Sequence, residues 1–358
     1  MFPVLVLAMG LAMTVHVGPI GGDTPAREPR FAVNGSTVAL AFGAGTGIYF
    51  DLSRDSGKTF SGPVKVADEP VVPLTRHRGP RIVFANGAIV ITAVAGKTSG
   101  GPHAHGLPSD GDLIAWRSTD TGKTWSKGIV INDVPGAPTE GLHALASDGK
   151  EHLFAAWLDH RGGHGTKLYG AQSRDGGATW SKNVLIYASP DGTICECCAP
   201  SLAIDSHSET LVMWRNCLDG SRDMYLSRSR DGATFSKPEK LGDGTWKINA
   251  CPMDGGGLVV SQGRIVTLWR REHDLFLASP GKPETRLATG VDSAIAAGAG
   301  GIYAIWSAAS GIQAMIPGKS QPIDLGAKGS FPAIAALPGG AAIAAWEQDG
   351  EIAIRQIP

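Results

Sequence analysis

Five cysteines and a scatter of arginines and histidines carry the reactive chemistry of this 358-residue chain. Cys195, Cys197 and Cys198 stand in the run Cys195-Glu196-Cys197-Cys198, and Cys217 and Cys251 follow. That run is tighter than the Cys-x-x-Cys spacing of the usual zinc knuckle. Soft thiolates with a nearby imidazole suit Cu(I) or Zn(II). Cys251 and His143 lie in segments expected to reach the same place, so Cys195, Cys197, Cys198, Cys251 and His143 form one candidate metal set, with copper or zinc as the implied cofactor. The same thiols could instead staple segments as one or two disulfides, such as Cys195 or Cys198 with Cys251, which an oxidising compartment favours. An odd count leaves at least one thiol unpaired within the chain. A reactive thiol is the third alternative.

The arginines suggest anion recognition. Arg78 and Arg81 lie in Arg76-His77-Arg78-Gly79-Pro80-Arg81, Arg161 follows Asp159-His160, and Arg215, Arg222 and Arg270 come later. A guanidinium fork matches a carboxylate with two parallel hydrogen bonds. Arg161, Arg215 and Arg270 each fall just beyond an apolar strand in successive segments, so they are expected to converge on one mouth as ligand-binding groups. The alternative is that they pair with Asp159, Asp223 and Asp274 in loop salt bridges. Glu140 with Asp159 or Asp254 would supply the carboxylate pair that glycoside hydrolysis requires.

These residues are positioned by repeats. An apolar strand, a small polar turn and a second apolar strand recur seven times, beginning at Phe31, Ile82, Ala144, Leu202, Leu258, Ala294 and Ala333. Later copies close on Trp157, Trp214, Trp269, Trp306 and Trp346. A second motif, Ser-x-Asp-x-Gly-x-Thr-aromatic, follows the first four copies around Asp55, Asp120, Asp175 and Asp231, the last one residue short. The motif is structural in kind. Its carboxylate can accept N–H groups of its own turn, its glycine takes unusual dihedrals, and its aromatic residue packs between sheets. The competing reading of the four acids is a calcium or catalytic array.

These motifs resemble the Asp boxes, or BNR repeats, of the sialidase superfamily, and the resemblance spans nearly the whole chain as repeats. It implies an all-β propeller of four-stranded blades. Seven blades are expected from the count of strand pairs, with six, as in sialidases, the alternative. In such a ring the turns bearing the Asp boxes emerge on one side, and the loops after each second strand and the crossovers between blades emerge on the other. Nearly all the cysteines, histidines and arginines named above, with His103, His105 and His164, fall on that second side, which makes it the candidate ligand funnel. The family holds the sialic acid carboxylate with an arginine cluster and uses a Tyr nucleophile with a Glu partner and an Asp acid/base. Arg30 stands roughly where the family's first arginine would be, in a different local sequence. Tyr49, Tyr169, Tyr187, Tyr225 and Tyr303 all lie in strands away from the funnel, so no evident nucleophile is present.

Residues 1–12 read as the apolar core of a signal peptide, and residues 13–358 as one propeller domain in a periplasmic or secreted protein. The last repeat runs out of chain after Ile354, and Thr14–Val17 is expected to supply its missing strand. A net charge of −1 gives no electrostatic drive toward nucleic acid or anionic lipid, and no segment is long enough to span a membrane. The expected protein is a monomer that binds a glycan or small molecule and is carbohydrate-active, with hydrolysis of an acidic sugar as the specific form. The alternatives are a metal-binding or redox protein using the cysteine cluster, and a non-catalytic protein-binding scaffold.

Overall fold

The computed structural model describes residues 13–101, 104, 106–326 and 328–358; the signal-like segment 1–12, His103 and His105 lie outside the described residues. Seven four-stranded antiparallel sheets succeed one another along the chain. Each of the seven repeats supplies its own hydrogen-bonded blade, which rules out the six-bladed alternative. The innermost strands are Arg27–Asn34, Arg81–Ala85, His143–Ser147, Ser201–Ile204, Gly257–Ser261, Val291–Gly298 and Ser330–Leu337.

The second strand of each blade is covered on both faces by neighbouring blades, so it reads as a continuous apolar run rather than an alternating one. Thr37–Ala44, Ala88–Ala95 and Leu153–Asp159 are buried almost throughout. Trp157, Trp214, Trp306 and Trp346 fill the space between blades with essentially no solvent exposure.

The ring closes as its sequence requires. Val15–Val17 pairs antiparallel with the final strand, Val15 opposite Ile354, His16 opposite Ala353 and Val17 opposite Ile352. Both chain ends thus share one sheet, and a strand edge that would otherwise be open is paired. Val17 is buried in the cluster that holds Val38, Leu40, Ile343 and Ile352.

Each Asp box acts as a turn clamp. Asp120 Oδ1 accepts the Thr124 N–H at 2.9 Å and the Ser118 hydroxyl at 2.8 Å, while Oδ2 accepts the Thr124 hydroxyl at 2.6 Å. Asp55 and Asp175 repeat the pattern, and the shortened box of Asp231 accepts the N–H groups of Ala233 and Thr234. These bonds, the Thr124 hydroxyl first, hold the Asp120 carboxyl down at about 2. The box glycines also touch the preceding blade. A Cβ on Gly122, whose φ is +85°, would lie 2.1 Å from the Phe50 ring, and Trp125 of the same box meets that ring edge-on at 5.3 Å. The boxes therefore lock blade to blade as well as closing their own turns.

A candidate anion-binding funnel and a thiol cluster beside it

The first residues of all seven inner strands converge on the ring axis, on the side opposite the Asp boxes, around a cavity of about 290 Å³. Its wall mixes apolar side chains, Ile82, Leu202, Ile295 and their counterparts, with polar surface that includes Ser201 and Ser293. Two guanidinium groups, Arg30 and Arg81, come into it from adjacent blades, with His77 beside them.

The two arginines are held by backbone rather than by matched carboxylates. Arg81 donates to the carbonyls of Gly79, Pro80 and His77 at 3.2, 3.0 and 2.6 Å. Arg30 donates to the Pro29 carbonyl at 2.7 Å and reaches the Glu28 carboxylate only at 3.4 Å. Burial, and then the charge of Arg30, push Arg81 down to about 9. A guanidinium stays charged at neutral pH. The depression reflects the burial of Arg81 first and the neighbouring charge of Arg30 second, partly offset by Glu28.

A polar wall adjoins them. His77 Nε2 lies 3.0 Å from Asp292 Oδ1, and the Asp292 N–H donates to Asp254 Oδ2 at 3.1 Å. Burial opposes a charge on His77, but Asp292, Glu28 and Asp254 outweigh it and hold the imidazole above its ordinary range. Burial likewise raises Asp254 against the pull of His77, and Asp254 Oδ1 is buried without a hydrogen-bond partner. Glu28 accepts the His77 N–H at 2.8 Å and donates its own N–H to Glu347, also at 2.8 Å; burial raises Glu347 to about 7. Glu28, His77, Asp292 and Phe331 all take left-handed φ, between 50° and 68°. In the inner strands that carry them, Glu28, Asp292 and Phe331 sit at register shifts against the second strand. Such bulges re-aim side chains and cluster near functional sites.

The other expected ligand arginines do not share this mouth, and the convergence anticipated for Arg161, Arg215 and Arg270 is not found. Arg161 is clamped by both oxygens of Asp159, at 2.8 and 2.9 Å, and also donates to Asp133 and Asn183. Arg215 is buried, and all its bonds go to main-chain carbonyls: two to Asp254, one to Arg222 and one to Arg270. Arg270 pairs with Asp254 at 3.1 Å and donates to the Pro252 and Glu272 carbonyls. Both guanidinium groups lie over Trp246, 5.3 and 5.5 Å from its ring centre. Arg78 binds the backbone and carboxylate of Glu140, and Arg222 keeps its Nε buried without a partner. Of the carboxylates considered for acid/base work, Glu140 is occupied by Arg78 and Asp159 by Arg161 and the Trp157 indole, while Asp254 stands with the His77–Asp292 pair. The loop-salt-bridge alternative holds for Asp159, whereas Asp223 meets Lys240 and Asp274 meets Arg286.

The cysteines divide as well. Cys195, Cys197 and Cys198 are buried, with sulfurs 3.4, 3.7 and 4.0 Å apart. Cys251 is exposed and Cys217 half-buried, and all five are free thiols, so the expected disulfide to Cys251 is not formed. The crossover carrying Cys251 turns its thiol outward and packs Met253 on the cluster instead. His143 is not a member of the group. It is buried at the start of its inner strand, with Nε2 3.0 Å from the Thr92 hydroxyl, and burial followed by the charge of Arg81 holds it well below its ordinary range. Burial opposes a charge on Cys198, but S–H donation from its two neighbours, Arg215 and the Asp254 N–H outweigh it, so its thiol is held well below the usual range. The cluster adjoins the funnel: Ala199 and Gly255, which follow it on the two crossovers, both line the cavity. A Cβ on Gly255 would fall 2.0 Å from the Ala199 carbonyl oxygen.

The sequence reading did not single out Asp292, Glu28 or Met253 as partners of the site. One signal was available for Glu28: it precedes Pro29 at the head of an inner strand, as Phe331 precedes Pro332.

No family model matches the chain, and no curated protein matches it by sequence. Its fold does match solved structures. An intramolecular trans-sialidase from Ruminococcus gnavus, in complex with oseltamivir carboxylate, superposes with a TM-score of 0.54 at 12% identity over 97% of both chains. A polysaccharide lyase, the PL25 ulvan lyase bound to -[GlcA(1-4)Rha3S]-, gives 0.55 at 12% identity over 96% of this chain and 95% of the other. The α-L-arabinofuranosidase Arb93A of Fusarium graminearum gives 0.53 at 14% identity over 97% of both. The chain thus shares its fold with these structures, and fold alone does not set the chemistry.

Proposed function

We propose that the protein binds an anionic saccharide in the axial funnel, with Arg30 and Arg81 receiving its carboxylate or sulfate group. The observation that carries this reading is the pair of adjacent guanidinium groups in a concave cavity, bonded mainly to backbone carbonyls, with the buried Glu28 as the one carboxylate that either reaches, at 3.4 Å from Arg30. The bound ligands of two fold neighbours, oseltamivir carboxylate and a glucuronate-containing saccharide, carry carboxylates, which supports the same class for this chain.

The finer form of the reading is cleavage of that saccharide. Among the described residues no tyrosine lines the funnel, so the sialidase Tyr/Glu arrangement is not the means. The His77–Asp292 pair, beside the arginines and above the ordinary imidazole range, is the group placed to pass a proton to a bound ligand. The apolar opening segment supports action outside the cytoplasm, where polymeric saccharides are met. No helix among the described residues is long and apolar enough to cross a membrane.

The test is calorimetric titration with uronic-acid oligosaccharides and their neutral counterparts. Arg81→Lys keeps the charge and loses the fork. A bidentate, charge-assisted contact is worth about 1.5–3 kcal/mol, so affinity for the acidic ligand should fall roughly tenfold or more while the fold is retained. Equal binding of neutral and acidic ligands, or indifference to Arg81→Lys, would overturn the reading.

A further inference from the structure

We propose that Cys195, Cys197 and Cys198, with the thioether of Met253, form a binding site for a single thiophilic metal ion, Cu(I), in the wall between the fourth and fifth blades. The site is separate from the arginine funnel and does not depend on what the funnel binds.

The geometry is that of a preformed cup. Sulfurs 3.4, 3.7 and 4.0 Å apart lie on a circle of about 2.15 Å radius. An ion about 2.3 Å from each sulfur would stand about 0.8 Å out of their plane. That is close to the height of a tetrahedral centre over its base, about one third of the bond length, and it leaves an apex for a fourth donor. Unliganded thiols have no need to meet in this way. Two would satisfy a weak S–H bond, and a third buried beside them adds a polar group in a place that excludes water.

The donor set chooses the ion. Among the described residues no imidazole or carboxylate joins the three sulfurs within ligand range, which withholds the nitrogen or fourth thiolate with which structural zinc sites are normally completed. The side chain packed on the cluster is Met253. Its backbone is held at φ +57°, a left-handed conformation that non-glycine residues adopt at a cost. An all-sulfur set of thiolates and a thioether is the soft environment that Cu(I) accepts. Three thiolates around a monovalent ion carry a net charge of −2, and Arg215, buried 1% exposed on the neighbouring strand, supplies a fixed counter-charge. Binding requires the sulfurs as thiolates, so the thiol protons leave to solvent as the ion enters; no electron is transferred. Cys197, at 7% exposure, is the least covered of the three cysteines.

The ion would join the crossover of Cys195–Cys198 to that of Met253, the two segments that meet at Ala199 and Gly255 on the funnel wall. The experiment is anaerobic titration of the full, reduced chain with Cu(I) in competition with a chromophoric Cu(I) chelator, and with Zn(II) in a parallel arm. The expected result is one copper per chain, a rise in thermal stability on binding, and copper K-edge scattering from sulfur alone. Cys197→Ser should abolish uptake, and Met253→Leu, which preserves volume, should weaken it about tenfold or more. Cys251→Ser should leave it unchanged. The proposal fails if reduced protein takes up no copper, if Zn(II) binds in preference and Met253→Leu has no effect, or if Cys251→Ser removes the ion. A Cys195–Cys198 disulfide whose reduction creates no copper site would also overturn it. Because Met253→Leu and Cys251→Ser leave the three-thiol cluster intact, loss of folding in Cys197→Ser would not shield the proposal.

Discussion

Replacing Arg215 by lysine distinguishes an arginine that builds the funnel wall from one that serves a ligand. Arg215 is 1% exposed and donates four hydrogen bonds, to Asp254 at 3.2 and 3.0 Å, Arg222 at 2.6 Å and Arg270 at 2.8 Å. These carbonyls belong to three separate stretches, so the guanidinium ties the strand end at Arg215 to its own loop, to the next crossover and to the neighbouring blade. Lysine has a single nitrogen and cannot reach all of them. Losing part of a buried charged network leaves carbonyls unpaired and costs about 3–5 kcal/mol. Unfolding entropy of about 2.1 cal/mol/K per residue gives a chain of this length about 0.7 kcal/mol/K, so the melting temperature should fall by about 4–7 °C. Scanning calorimetry of Arg215→Lys beside Arg81→Lys measures this directly. The expected pattern is a large drop for Arg215→Lys and a change of at most a degree or two for Arg81→Lys, whose side chain bonds only within its own crossover. An unchanged melting temperature in Arg215→Lys, with ligand affinity lost, would refute the structural assignment and return Arg215 to the ligand.

Two further outcomes test the ring itself. The Asp-box carboxyls of Asp55 and Asp120 are held at about 2 by bonds to the threonines of their turns. A carboxylate depressed in the folded state stabilises above its unfolded value near 4 and loses that contribution as the pH falls through the folded value; acid unfolding should therefore steepen between about pH 4 and pH 2, and Asp55→Asn with Asp120→Asn should flatten that limb when stability is followed by denaturant titration. At the closure, Val17 is buried opposite Ile352, and Val17→Asp should cost about 1.5–3 kcal/mol for the lost apolar burial and expose the last strand to proteolysis. A variant as stable as the parent would mean that the N-terminal strand does not close the ring.

The repeats were legible because each uses strictly local chemistry. Ser118, Asp120, Gly122 and Thr124 satisfy one another within a single turn, so their spacing in sequence is their spacing in space. The closing strand was legible for a different reason: the blade of Trp346 lacked an outer strand, and an unpaired edge demands a partner. The destinations of the arginines were not legible. Arg81 and Arg215 look alike in sequence, yet one enters the axial cavity and the other turns into the wall, because the second passes carbonyls of two other segments that no local pattern records. The same holds for the cysteines. Cys251 was the obvious partner for the cluster by type, but a left-handed residue two positions later presents Met253 instead, and a positive φ at a methionine has no sequence signature.

Five of the non-glycine residues held in left-handed backbone conformation, Glu28, His77, Met253, Asp292 and Phe331, lie at inner-strand heads and crossovers on the funnel side and bear on what the two sites share. Each such conformation costs about 1–2 kcal/mol, and such strain persists only where surrounding structure imposes it. Here the imposing structure is the ring: interblade packing around Trp214, Trp306 and Trp346 fixes where each inner strand begins, and the crossovers must adapt. The strain also has a direction. At His77 and Asp292 it brings an imidazole and a carboxylate from blades distant in sequence to 3.0 Å beside Arg81, and at Met253 it packs a side chain against the three-cysteine cluster. Simple loop closure would be met more cheaply by glycine, which the chain uses freely elsewhere in its turns. Ser56 and Thr121 carry the same backbone strain in the Asp-box turns on the opposite side, so it is not strain alone but the side chains it brings together at His77, Asp292 and Met253 that bear on the proposed binding face.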